Sequence, residues 1–73
     1  MNRTVLNQAG RLLWGPRFRA DMAREMGVHL ATINRWTTGE TGIPQHAWEQ
    51  LAELLTLRKK DIEKVLAKLP DGA

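Results

Sequence analysis

The stretch from Arg19 to Trp36, RADMAREMGVHLATINRW, constrains the fold of this chain more than any other. Apolar residues on both sides of Gly27 recur at the three- and four-residue steps that a helix requires. Glycine readily takes the left-handed backbone conformation, so Gly27 allows a sharp turn from one helix into the next. Ala23, four residues before it, is small enough to lie where two helices cross closely. The stretch therefore predicts two short helices that meet at a tight turn.

The rest of the chain carries further apolar stripes of helical period and no strand-like alternation. The predicted helices span about 4–14, 16–26 and 29–38; Gly39 ends the third, and Pro44 opens a fourth. The side chains expected to face inward are Val5, Leu6, Ala9, Leu12, Leu13, Phe18, Met22, Ala23, Met26, Ile33, Trp36, Ala47, Trp48, Leu51, Ala52 and Leu55.

A last apolar stripe lies near the C-terminus, after the polar segment TLRKKD at 56–61. A continuous helix would place Lys59 in the apolar seam, so we expect a break near Thr56 and a separate helix over about 58–69. The stripe either closes the monomer core against the first helix or forms a dimer interface, and we favour the interface. Its residues are Ile62, Val65, Leu66 and Leu69. The sequence predicts one all-α domain over 1–73, a compact bundle of four to five short helices.

Charge is distributed unevenly along the chain. Residues 1–39 carry six arginines against two acids, a balance of +4, whereas residues 40–73 carry five basic residues against six acids, a balance of −1. The basic charge therefore lies mainly with the predicted helix pair, and there every basic residue is arginine. The guanidinium group is suited to phosphate and to the edge of guanine, which favours a nucleic-acid partner.

Several classes of function are disfavoured by what the sequence lacks. It has no cysteine, so it can form neither a disulfide nor a thiolate metal site. Its two histidines, His29 and His46, have no flanking pair of carboxylates, and no Ser/His/Asp set can be assembled. We therefore expect no metal, no cofactor, no catalytic residue and no enzymatic activity. No apolar run is long enough to span a membrane, and the N-terminus does not resemble a signal peptide, so we expect a cytoplasmic protein.

The segment MAREMGVHLATINRWTTG, from Met22 to Gly39, is similar to a known family pattern, LARxLGVSxxTVxRWxxG. That pattern belongs to the helix-turn-helix family of the phage lambda repressor and Cro, often called XRE-like regulators, and the resemblance covers about residues 4–56. It implies a lambda-repressor-like DNA-binding domain, usually a dimer, that binds operator DNA and regulates transcription. Two positions depart from the pattern: His29 stands where the family commonly has Ser or Thr, and Leu30 where it often has Gln.

The resemblance gives the second helix of the pair, within a helix-turn-helix unit over about 17–38, the role of entering the major groove. Inward-facing Ile33 and Trp36 would then leave Leu30, Ala31, Asn34 and Arg35 to face the base edges. Arg35 suits guanine, Asn34 suits adenine, and apolar Leu30 suits a thymine methyl group. The residues expected at phosphates are Arg17, Arg19, His29, Thr32, Thr38 and Thr41.

Three functions compete for this sequence. The first is a sequence-specific transcriptional regulator from a bacterium or a phage, a homodimeric repressor that binds a palindromic operator in the nucleoid. The second is an antitoxin-like or phage-encoded interaction protein that neutralises a protein partner and also binds DNA. A non-specific nucleoid binder is disfavoured, because the net charge is only +3 and the basic residues do not form long runs.

Overall fold

Four α-helices follow one another along the part of the chain that this computed structural model describes, residues 3–70. They are α1 (Arg3–Trp14), α2 (Phe18–Met26), α3 (Leu30–Thr38) and α4 (Gln45–Lys68). No strand occurs within these residues. The predicted all-α bundle is therefore confirmed, with four helices.

The core receives one large, fully buried side chain from each helix. These side chains are Leu6 of α1, Met22 of α2, Ile33 of α3 and Leu51 of α4. The first three helices pack against one another, and α4 closes the group by packing on α1. Burying each such side chain contributes about 1.5–3 kcal/mol, so no single helix can be removed without exposing the apolar side of the others.

Most of the predicted inward positions are buried, and the exceptions lie at the edges of the apolar stripes. The core cluster comprises Leu6, Ala9, Leu13, Phe18, Met22, Ala23, Met26, Ile33, Trp36, Ala47 and Leu51. Val5, Leu12 and Ala52 are exposed instead, because they lie on the sides of α1 and α4 that no other described helix covers. Trp48 and Leu55 are half-buried against the cluster.

Gly27 forms the turn between α2 and α3 in the left-handed conformation, with a φ of 68°. The N–H of Val28 donates to the carbonyl of Ala23 at 3.0 Å, which satisfies one of the carbonyls left free at the end of α2. Gly39 ends α3 in the same way, with a φ of 81°. The tight turn expected from the sequence is therefore present, and α2 begins at Phe18 after a turn at Pro16 and Arg17.

Gly10 of α1 lies against the ring of Phe18 of α2, and the sequence pattern did not single it out. It is buried within α1, and a Cβ atom added there would lie 2.6 Å from Cγ of Phe18. Only glycine leaves room for the aromatic ring at this crossing. The position of Phe18, the first residue of α2, thus depends on a missing side chain in α1.

Two arginines bind backbone carbonyls at the ends of helices that are distant from them in the sequence. The guanidinium of Arg3 donates to the carbonyl of Thr38 at 2.6 Å, at the end of α3. That of Arg58 donates to the carbonyl of Leu13 at 2.9 Å, at the end of α1. Both satisfy carbonyls that lack a helical partner, at the end of the helix where a cation is favoured.

The expected break near Thr56 is wrong, because α4 runs for 24 residues without interruption from Gln45 to Lys68. The break was expected because Lys59 would otherwise lie in the apolar seam. In the structure this part of the helix has left the core, so Lys59 is exposed to solvent and its place in the seam carries no burial cost. The residues around it favour helix, and the backbone continues.

The last apolar stripe does not close the monomer core, so the first of its two alternatives is wrong. Each of its four side chains is between 48% and 60% exposed. We call residues 58–69 the arm; every one of them is exposed, whereas Ala47 and Leu51 in the first half of α4 are buried. The stripe residues are Ile62, Val65, Leu66 and Leu69. The first half of α4 therefore holds the fold together, and the arm projects from it.

Candidate nucleic-acid interface

The outward face of α3 carries the four residues predicted to face base edges, together with Thr38. Ile33 and Trp36 are buried and fix the orientation of this nine-residue helix. The exposed side chains are Leu30, Ala31, Asn34, Arg35 and Thr38. Leu30 is 48% exposed although it is a large apolar residue, so the core does not account for it. An α-helix with its side chains is about 10–12 Å across, which suits the major groove of DNA, about 12 Å wide.

Thr37 joins the buried side of α3, which the apolar pattern alone did not reveal. Its hydroxyl donates to the carbonyl of Asn34 at 3.0 Å, so the buried oxygen is satisfied within its own helix. The hydroxyl of Thr38 makes the same kind of bond to Asn34, also at 3.0 Å, but on the exposed side. Both threonines therefore hold the last turn of α3, and the side chains of Asn34 and Arg35 remain exposed.

A groove lies beside the first turns of α3, between α1 and the start of α2. Its volume is about 530 Å³, and Leu30 and Asn34 form its α3 side. Three arginines line the other sides, namely Arg11, Arg17 and Arg19. We call this surface the arginine groove. It brings Arg17 and Arg19, which are predicted to bind phosphates, beside Leu30 and Asn34, which are predicted to read bases.

Arg11 and Asn7 belong to this groove but were missed from the sequence. They are four residues apart on α1 and therefore lie on one face of that helix. The amide of Asn7 donates to the carbonyl of Arg3 at 2.9 Å. The spacing could have placed the two on a common polar face, but only the packing of α1 against α2 shows that this face borders α3.

The arginines of the basic N-terminal half divide into two groups. Arg3 binds a helix end and Arg24 forms an ion pair with Asp21 of the same helix. The side chains of the others make no hydrogen bond or ion pair with any part of residues 3–70; they are Arg11, Arg17, Arg19 and Arg35. All four side chains are exposed. Within the N-terminal half, the arginines free to bind an anion thus lie around α3 and the arginine groove.

The remaining predicted phosphate contacts lie at the two ends of α3. His29 immediately precedes the helix and is exposed, and Thr32 is half-buried in its first turn. Thr41 is exposed in the loop after α3, where its N–H donates to the carbonyl of Arg35 at 3.5 Å.

The predicted dimer residues lie on the arm. The structure therefore brings Arg17 and Arg19 to the base-reading face but leaves the arm stripe separate from it.

Residues 3–70 contain no group of three metal-ligating side chains close enough to hold an ion. None of the helices in this range is long and apolar enough to cross a membrane. Comparison of the sequence with protein-family models, and with curated proteins and solved structures, finds no match.

The start of α3 offers a direct test of local stability. His29 occupies the N-cap position with a φ of −72° and a ψ of 149°, but its side chain makes no capping bond to the described residues. Serine there accepts a hydrogen bond from a free N–H of the first turn. We expect His29→Ser to raise the free energy of unfolding by about 0.5–1 kcal/mol relative to His29→Ala, measured by chemical denaturation. Equal stability of the two variants would show that this position does not cap α3.

Proposed function

We propose that this chain is a sequence-specific DNA-binding transcriptional regulator of the XRE-like helix-turn-helix family, acting as a homodimeric repressor on a palindromic operator. The observation that carries the proposal is the position of four unpaired arginines around the exposed face of α3. An exposed helix whose outer residues include Leu30, Asn34 and Arg35 offers side chains of the kinds that read thymine, adenine and guanine.

The arginine groove favours separate roles within this interface, with some residues at phosphates and others at base edges. Phosphate contacts position a protein on DNA, and contacts to base edges give it specificity. The guanidinium groups of Arg17 and Arg19 lie beside the first turn of α3 and are free to hold the phosphates that flank a major groove. We add Arg11 to this group, since it lines the same surface. His29, Thr32, Thr38 and Thr41 are further phosphate candidates at the ends of α3.

A repressor of this kind binds its operator as a dimer and so blocks access of the polymerase to the promoter. The arm supplies a surface for dimer formation. Four apolar side chains are exposed there, on the part of α4 that leaves the DNA-binding body: Ile62, Val65, Leu66 and Leu69. Two copies would place two α3 helices on one DNA, and a two-fold protein predicts a palindromic site. The protein would then work in the cytoplasm, at the nucleoid, without a cofactor and without enzymatic activity.

The same exposed stripe favours a second candidate function. An apolar helix face of this kind also suits a protein of different sequence, which would make the chain an antitoxin-like or phage-encoded interaction protein. Such a protein would form a stable complex of two different chains. It would bind DNA through α3 as well, so DNA binding alone does not separate the two functions.

Selection of binding sites from random double-stranded DNA tests the proposal. We expect a palindromic sequence whose half-sites are about one helical turn of DNA apart. A gel-shift titration of the selected site against shuffled DNA of equal length should then show at least a thousandfold preference at physiological salt. No enrichment over random DNA would rule out a sequence-specific regulator.

Arg19→Ala tests the phosphate role of the arginine groove. We expect it to weaken binding to selected and shuffled DNA about equally, and to reduce the slope of log affinity against log salt by roughly one. Arg24→Ala is the matched control, because Arg24 lies on the same helix but is ion-paired with Asp21. If both variants kept the wild-type slope, Arg19 would be a surface charge without a phosphate partner.

A further inference from the structure

One apolar face runs the whole length of α4, but only its first half is covered. Leu51, Leu55, Ile62 and Leu69 follow one another at steps of four and seven residues, which keeps them on one side of a helix. Leu51 is buried and Leu55 half-buried, whereas Ile62 and Leu69 are about half exposed. The apolar side of α4 therefore packs against the body in the first half of the helix and is exposed to solvent in the arm.

The body ends where Arg58 donates to the carbonyl of Leu13 at the end of α1. Beside this point Leu12 is 71% exposed, and it lines a small groove of about 250 Å³ with Leu55 and Ile62. Beyond it no described residue covers the arm. A helix segment of this length is marginal in water without tertiary packing, so an exposed apolar arm gains stability from a partner.

We propose that a second copy of this chain covers the arm in an antiparallel orientation, so that each arm ends against the Leu12 groove of the other copy. A parallel pair would need the partner helix to follow the same face of α4 towards its N-terminus. Over the first half of α4 that space is already filled by α1. An antiparallel partner avoids this conflict, because only its arm overlaps the arm of the first copy.

The charges that flank the apolar face favour this orientation. Asp61 and Lys68 are seven residues apart and therefore lie on the same flank of the arm. In antiparallel helices like flanks meet, so Asp61 of each copy faces Lys68 of the other, which gives two ion pairs related by symmetry. A parallel pair would instead bring Asp61 against Leu66, about five residues further along the other chain, and would form neither ion pair.

The same register also fixes how far the arms overlap. When Asp61 lies opposite Lys68, Leu69 of one copy lies near Ile62 of the other, at the edge of the Leu12 groove. Further sliding would drive the end of the arm against α1. The apolar groove beside Leu12 is therefore filled by the partner's arm, which accounts for an exposed leucine at the end of a core helix.

This orientation sets the distance between the two DNA-binding bodies, a point that rests on the proposed function. At 1.5 Å per residue, the two Leu51 positions would lie roughly 40 Å apart along the helix axes. That distance is of the same order as the separation of two half-sites one turn apart on DNA, about 34 Å. A parallel pair would leave the same positions about 10 Å apart, too close for two bodies that are each about 20 Å wide.

Disulfide cross-linking tests the orientation, because the sequence has no cysteine of its own. Asp61→Cys and Lys68→Cys are prepared separately, mixed without DNA and oxidised under mild conditions. We expect a covalent dimer in the mixture that joins position 61 to position 68, and much less covalent dimer from either variant alone. Predominant 61–61 and 68–68 links would show a parallel pair, and the absence of any covalent dimer would show that a second copy does not cover the arm; either result overturns the proposal.

A charge placed on the arm tests the surface by a second route. We expect Leu66→Glu to shift the chain from dimer to monomer in sedimentation equilibrium, with unchanged helix content, because Leu66 is 60% exposed in the monomer. Leu57→Glu is the control, since Leu57 is equally exposed but lies outside the stripe. A wild-type chain that is monomeric throughout a concentration series would overturn the proposal. Both measurements are made without DNA, so a dimer that fails to select any DNA sequence would refute the proposed function alone.

Discussion

Replacement of Gly10 by alanine is expected to lower the free energy of unfolding by about 1–3 kcal/mol, although alanine is the better helix former. The added methyl group would lie 2.6 Å from Cγ of Phe18, well inside contact distance. The ring cannot move aside cheaply, because Phe18 is buried in the core at the start of α2. A chain of this size buries little surface and is marginally stable, so a loss of this magnitude should be clear in a urea titration.

Two further variants show whether the crowding at Phe18 is the cause. Gly42→Ala is the matched control: no described atom lies within 4 Å of the added Cβ, and its backbone is outside the left-handed region. It should leave stability unchanged or raise it slightly. In a Phe18→Leu background, Gly10→Ala should cost less than it does in the natural sequence. An unchanged cost in that background would mean that the two residues do not conflict.

Replacement of Arg35 by alanine is expected to cost about 1–3 kcal/mol of affinity for the selected DNA site, roughly five- to 150-fold. The side chain is exposed on α3 and makes no bond within residues 3–70, so its loss should not disturb the fold. The carbonyl of Arg35, which accepts the N–H of Glu40 at 3.0 Å, is kept in the variant. The loss should therefore appear in DNA binding and not in thermal stability.

The position of the loss within the site is the more specific readout. A residue that reads one base makes the protein indifferent to that base when it is removed. Site selection with the Arg35→Ala variant should therefore return the same palindrome with one guanine in each half-site replaced by any base. Retention of every base preference would remove Arg35 from the reading face and leave Asn34 and Leu30 as the candidates.

The helix pair around Gly27 could be predicted because its causes are local. The left-handed turn needs a glycine, and the apolar steps on both sides decide which faces are buried. Once Ile33 and Trp36 are placed inward, the helical period leaves Leu30, Asn34 and Arg35 outward. The structure confirms this orientation, since the first two are buried and the other three exposed.

What could not be predicted depends on contacts between distant parts of the chain. Arg58 binds the carbonyl of a residue 45 positions away, and Arg3 one that is 35 positions away. A count of charges treats all arginines alike, so it could not separate these two from those that line the groove. Gly10 carries no local signal either, because its role is set by the aromatic ring of another helix.

The error at Thr56 has a different origin. The expected break assumed that the whole apolar face of α4 is buried, in which case Lys59 would be costly. A helix that leaves the core carries no such cost, and sequence periodicity does not show where a core ends. Leu12 was misplaced for the same reason: its spacing suits the core, but it lies beside the point where α4 leaves the body.

The continuity of α4 means that the length of this segment is constrained as well as its composition. Each residue inserted into an unbroken helix turns everything after it by about 100° and advances it by 1.5 Å. A single insertion near Thr56 would leave every side chain of the arm intact and yet turn its apolar face away from the side that faces the body. An insertion of seven residues, close to two full turns, would restore the face and lengthen the helix by about 10 Å. Natural variation in length, if it occurs here, should therefore come in steps of about seven residues.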